Sequence, residues 1–424
     1  MENKRFVNYR RCLIVMLIAC GFAMAFVYKN YVVNSVPDTI FLRKGEEEKI
    51  SFDVPVSATM AMPDASYIRT PVSTSVSIIP GEEETYSIDL KYMGIFPIKS
   101  VTLDVISGKE VAISGMPVGI FVKTKGVLVI DTGSYVNYKG EKVEPSEGIL
   151  QPGDNILEVN GCEVAGKRQF VNLIEWSEGK EMILTILRGG QVSKVKVCPQ
   201  KNEEGIYKLG IWVRDSAQGI GTLSYITQDG EFAALGHGVN DADIGDLMPL
   251  KKGSIYETNI LAIRRAQDSQ PGELTGVMTF DESDYVGKIE YNTAEGIYGR
   301  LSEEYLLTER GKEFLGDCVV YPVALKQEIK LGPAQIYCCL SQAPAFYDVE
   351  ISDVIYNPAE KNRSIMLTVT DPQLLAVTGG IVQGMSGSPI IQDGKIIGAV
   401  THVLVNDPTR GYGIFIESML NNGN

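Results

Sequence analysis

The chain has 424 residues, 44% hydrophobic and 22% charged, a globular composition at a length that calls for more than one core. Its formal net charge of -14, with no basic stripe interleaved with aromatics, argues against nucleic-acid binding, which draws on clustered Lys and Arg. Seven cysteines and two histidines form no Cys-x-x-Cys or His-Glu-x-x-His pattern, so neither a metal site nor a cofactor is expected.

Lys4, Arg5, Arg10 and Arg11 precede an uncharged run from Cys12 to Tyr28. Residues 1–33 therefore read as a cytoplasmic tail and a transmembrane helix, with the bulk of the chain extracytoplasmic. Ala23-Met24-Ala25 resembles a signal-peptide cleavage site, but Phe26-Val27 continues the apolar run and favours an uncleaved anchor. Residues 34–107 alternate short β-rich runs such as Ile40-Phe41-Leu42 and Val101–Val105 with polar turns, and read as a spacer or small β domain. Gly81-Glu82-Glu83-Glu84 reads as a solvated turn.

In residues 108–202 the run Leu150-Gln151-Pro152-Gly153-Asp154-Asn155-Ile156-Leu157-Glu158-Val159-Asn160-Gly161 resembles the PDZ signature. Pro152-Gly153 makes a turn and Asn160-Gly161 closes a hairpin. Ahead of it, the loop containing Gly115, Val118, Gly119 and Ile120 could hold a peptide terminus on its amides. After it, Gln169 to Ser177 has helical spacing and places Phe170, Leu173 and Ile174 on one face. A peptide would add there as an extra strand, whether from a foreign ligand or the protein's own chain.

Residues 203–424 carry the chemistry. Thr222 to Ile226 leads through Asp229-Gly230 into Phe232 to Leu235, and Gly236-His237-Gly238 ends that hairpin. Much later, Gly384-Met385-Ser386-Gly387-Ser388-Pro389 precedes a second hairpin turning at Asp393-Gly394. A serine between glycines can be exposed on a sharp turn, with the amides of Gly384 and Ser386 directed at a developing oxyanion. Such a serine needs a base, and His237, at a strand end between glycines, is better placed than His402 inside an apolar strand. His402 reads as core or pocket wall. A carboxylate to orient the histidine could come from Asp241, Asp243, Asp246, Asp353 or Asp371; spacing alone makes Asp371 an N-cap, because Pro372 follows it. Glu303 to Phe314 and the final Glu417 to Asn421 read as short helices.

Taken together, Gly210–Leu223, Ala234–Gly238 and Gly384–Pro389 resemble the stage IV sporulation protein B family, membrane-anchored PDZ serine peptidases of endospore-forming bacteria. The fold this implies is mainly β: a transmembrane helix, a small β-rich region, a PDZ domain and a chymotrypsin-like double β-barrel. The resemblance places a catalytic triad on His237, Asp371 and Ser386. It also implies export to the forespore intermembrane space, self-cleavage, and cutting of a regulator of an intramembrane metalloprotease. The rival reading is a PDZ adaptor or chaperone whose peptidase-like body is inactive.

Overall fold

The computed structural model describes residues 2–420 apart from 35, 46, 62–66, 80–84, 107–109, 268, 317 and 342, so the Gly81–Glu84 turn lies outside the described residues. A helix, Glu2–Asn34, opens the chain, and its Tyr9–Val33 stretch has mean hydropathy 2.2 and enough length to cross a membrane. Strands between Thr39–Arg43 and Phe96–Ile106 then form a six-stranded sheet. Ile40, Leu42, Ile88 and Leu103 are fully buried in its core. This unit docks on the remainder through Arg43, whose guanidinium meets Glu328 at 2.6 Å and the Val323 carbonyl at 3.1 Å.

Two closed rings of strands follow. The first runs Pro117–Thr132, Leu250–Arg264, Tyr285–Thr293, Gly296–Leu301, Glu231–Ala234 and Ile211–Ile226, and the last pairs back onto the first. The second is a barrel of Gly332–Cys339, Pro344–Val354, Ile365–Val369, Asp407–Phe415, Lys395–Leu404 and Pro389–Gln392. Period-2 alternation fills each interior: Val118, Ile120 and Val122 point into the first with Leu223 and Ile255, and Ile336, Leu367 and Val400 into the second. A third cluster, including Ile113, Tyr225, Tyr337 and Ile414, joins the two rings. The fold is thus β-rich and chymotrypsin-like.

The first ring alters the expected layout. Its opening strand, Pro117–Thr132, lies within the segment assigned to residues 108–202, so the chain leaves the ring at Thr132 and rejoins it at Ile211. Between these points it builds a separate core on Ile156, Phe170, Met182 and Leu184. Val118 and Ile120 are consequently barrel core residues. Gly115 bonds to the Leu223 carbonyl at 2.9 Å, and a Cβ there would lie 2.8 Å from Tyr337. None of these positions, nor Gly119 paired with Ile220 and Tyr256, forms a peptide-terminus loop. The expected helix from Glu303 to Phe314 is two, Glu303–Leu307 and Glu309–Gly316, because the Thr308 hydroxyl takes the Tyr305 carbonyl and accepts from Gly311 N–H.

Candidate active site

The turn that carries Ser386 is shaped from both sides. Gly384 and Gly387 have φ of 100° and 99°, where an L side chain is strained, and a Cβ on Gly387 would lie 2.1 Å from the Thr222 carbonyl oxygen. From the first ring, Thr222 donates its hydroxyl to the Gly384 carbonyl at 2.8 Å and its N–H to the Ser386 carbonyl at 2.9 Å. On the other side, Leu274 N–H holds the Gln383 carbonyl at 2.8 Å. Ser388 grips the Met385 carbonyl with both its N–H (3.0 Å) and its hydroxyl (2.6 Å).

These anchors decide where the amides point. In a trans peptide the N–H lies opposite its carbonyl, so tethering the Gln383 and Met385 oxygens turns the N–H groups of Gly384 and Ser386 the other way. The N–H groups of Gln383, Met385, Gly387 and Ser388 all have protein acceptors. Among the described residues, those of Gly384 and Ser386 have none. Both residues line a cavity of about 730 Å³ between the rings, shared with His237, His402, Thr401 and Arg214. Two adjacent unpaired donors in a cavity are what an oxyanion requires.

His237 enters the same cavity from a tight corner, where Leu235 and Gly236 take φ of 71° and 66° in succession. Its Nδ1 lies 2.8 Å from the Gly238 carbonyl; since a carbonyl only accepts, Nδ1 carries the proton and Nε2 keeps its lone pair. Burial moves its pKa below the ordinary 6.5, against a smaller raising effect of that bond, so the ring is neutral near pH 7. The Ser386 hydroxyl donates to the Thr401 carbonyl at 2.8 Å, and no hydrogen bond joins it to His237. Rotation about its χ1 would redirect it within the shared cavity; such catalytic bonds often tighten only once substrate binds. The His402 ring lies 5.2 Å from that of His237, and its Nδ1 is buried with no partner. Burial, then the His237 and Arg363 charges, lower its pKa to about 4.

The carboxylates are placed elsewhere. Asp371 caps the helix Pro372–Thr378, its Oδ1 accepting from Gln373 N–H at 2.8 Å and Leu374 N–H at 2.9 Å, as its spacing before Pro372 suggests. It lines no part of the cavity and makes no bond to His237, so the triad geometry implied for it is absent here. Its capping carboxylate and the barrel strand before it hold it on the second ring. Asp241, with a fully buried side chain, and Asp243 both bind Arg214 at 2.6 Å, fastening the segment after His237 to the Ile211–Ile226 strand. Among the described residues, the Gly238 carbonyl and no carboxylate meets Nδ1 of His237. Neither that carbonyl nor the anchors Thr222 and Ser388 had a sequence signal, because each acts through a backbone atom or a partner from the other ring.

A second cavity, of about 620 Å³, lies in the inserted segment between the helix Lys167–Trp176 and residues 206–215. Phe170, Val171 and Ile174 line it, whereas Leu173 does not. Residues 211–214 pair with Pro117–Thr132 on one side only, so among the described strands their other edge is open.

An unbonded pair of amides around a serine, with a neutral histidine in the same cleft between two β-rings, defines a serine endopeptidase of the chymotrypsin-like class. The family model for SpoIVB peptidase S55 matches residues 205–420. The chain belongs to that family.

Proposed function

We propose that Ser386 is the nucleophile of this endopeptidase, that His237 is its general base and then acid, and that the amides of Gly384 and Ser386 bind the oxyanion. Nε2 of His237 takes the Ser386 proton as Oγ attacks the scissile carbonyl; the tetrahedral oxyanion settles on the two amides; His237 then returns the proton to the leaving amine. Water repeats the sequence on the acyl-enzyme. The observation that carries this reading is the unpaired state of those two amides beside a histidine whose free lone pair faces the same cavity.

The substrate in this reading is a regulatory protein of an intramembrane metalloprotease, and the chain itself is a second substrate, in sporulation signalling outside the cytoplasm. The helix Glu2–Asn34 serves as a single-pass anchor with a cytoplasmic N-terminus, supported by its length and hydropathy. The inserted segment acts as a PDZ-type module that takes a peptide or the protein's own chain against the open edge at 211–214, supported by the apolar groove beside it. Fluorophosphonate labelling of the full-length chain tests the chemistry. Labelling at Ser386 that disappears in His237→Ala is expected; equal labelling of His237→Ala would overturn the assignment of the base. Mass spectrometry of products formed by the chain alone tests self-cleavage.

A further inference from the structure

The strands Thr85–Tyr92 and Phe96–Ile106 form a hairpin closed by Met93-Gly94-Ile95. Met93 and Gly94 have φ of 51° and 74°. The first of these left-handed positions is where Asn or Asp costs least, yet it carries methionine. Met93, Ile95 and Phe96 are 51%, 72% and 62% exposed, a contiguous apolar tip where turns are ordinarily polar.

That tip stands beside the end of the apolar helix. Tyr28 and Tyr92 meet edge to face with ring centroids 6.0 Å apart and hydroxyls 3.4 Å apart. A cleft of about 410 Å³ separates Tyr28, Lys29, Val32 and Val33 of the helix from Tyr92, Phe96, Pro97 and Ile98 of the hairpin. The uncharged run from Cys12 to Tyr28 rises about 25 Å at 1.5 Å per residue, short of a hydrocarbon core of about 30 Å. The membrane boundary then falls at or just beyond Tyr28, with Tyr28 and Tyr31 at the depth of an aromatic belt and Lys29 able to extend its ammonium outward. The hairpin tip is at the same level.

We propose that Met93, Ile95 and Phe96 form a second membrane contact, inserting into the outer interfacial layer of the bilayer that the helix Glu2–Asn34 crosses. This rests on the anchor reading above. Two attachments, one helical and one at the hairpin tip, would prevent the β domain from swivelling about a single helix and fix the height of the peptidase above the lipid.

Depth-dependent quenching tests it in the full-length chain carrying Trp176→Phe and Trp212→Phe, reconstituted in phosphatidylethanolamine–phosphatidylglycerol vesicles with or without brominated acyl chains. Three single probes are compared: Ile95→Trp at the tip, Leu17→Trp within the helix, and Ile79→Trp as a control. A Cβ on Gly94 would lie 3.1 Å from Val72, and Ile79 is seven residues further along that extended segment, which puts the control about 23 Å from the tip. At least about twofold quenching of Ile95→Trp by bromines near the headgroups is expected, with Leu17→Trp quenched by deep bromines and Ile79→Trp unaffected. If Leu17→Trp is quenched and Ile95→Trp is quenched no more than Ile79→Trp, the tip contact is wrong and the anchor stands. If Leu17→Trp is unquenched, both are wrong.

Discussion

Replacing Thr222 by valine keeps the side-chain volume but removes the hydroxyl that holds the Gly384 carbonyl at 2.8 Å. Both groups are buried, so the carbonyl is left without that donor, at a cost of about 1–3 kcal/mol. If the turn relieves this by rotating, the Gly384 region moves and the N–H groups it presents lose their aim; complete loss of one oxyanion donor costs about 10² to 10³ in turnover. The Thr222 N–H still holds the Ser386 carbonyl, which limits the displacement. A loss of about 1–3 kcal/mol in transition-state binding corresponds to a fall in kcat of about 5- to 150-fold. The assay is cleavage of an internally quenched peptide built on a site mapped from the chain's own products, together with affinity for a peptide aldehyde that mimics the tetrahedral state. Thr222→Val should lower kcat and aldehyde affinity in parallel, with KM within about threefold of the parent, and Thr222→Ser should restore both. A Thr222→Val enzyme with unchanged kcat, or one altered only in KM, would refute the claim that this first-ring threonine sets the oxyanion site.

Four other outcomes are expected. Gly387→Ala should abolish fluorophosphonate labelling while the chain still binds vesicles, because its Cβ would meet the Thr222 carbonyl at 2.1 Å and its φ is unfavourable; near-normal labelling would contradict this. Asp371→Asn retains a cap-competent oxygen and should leave kcat within a few-fold and the melting temperature little changed, whereas a fall near 10⁴ would return Asp371 to the orienting role. Because burial lowers the His237 pKa, the neutral base persists below pH 6.5, and its contribution to stability, full above 6.5, is lost as pH falls from there through the lowered value; the acid limb of kcat/KM should therefore have a midpoint below 6.5, and one above 7 would be inconsistent. Burial raises the Glu417 pKa to about 7, so its stabilising contribution is present below 4.5 and is lost as pH rises through about 7. Glu417→Gln, which keeps the oxygen accepting from Lys326 N–H, should match the parent near pH 4.5 and exceed it by about 3 kcal/mol at pH 8 in denaturant titrations.

Much of the chemistry is legible in the sequence. Gly-x-Ser-Gly-x-Pro announced the turn because glycine at Gly384 and Gly387 is a local backbone requirement, and Asp393-Gly394 announced the hairpin after it for the same reason, with φ of 50° and 74°. Two histidines in 424 residues left little choice of base. Asp371 shows local and family reasoning diverging: its position before Pro372 pointed to an N-cap, the resemblance pointed to the triad, and the capping geometry is what the fold contains. The run from Gly115 to Ile120 reads as a peptide-terminus loop because its glycines and Pro117 precede the Leu150–Gly161 motif, whereas its strand pairing is set by partners at 219–222 and 255–257, about 100 or more positions later.

By itself, the sequence determined the features that depend on neighbours along the chain: the apolar helix, the turns, the helix cap, and a serine and a histidine each released by adjacent glycines. Only the tertiary structure decided that the first ring is completed by a strand preceding the inserted segment, and that Thr222 and Leu274 hold the Gly384 and Gln383 carbonyls of the serine turn from another part of the chain. Those outcomes depend on ring closure, which brings Thr222 to Gly384 across 162 positions, and no local propensity encodes that distance.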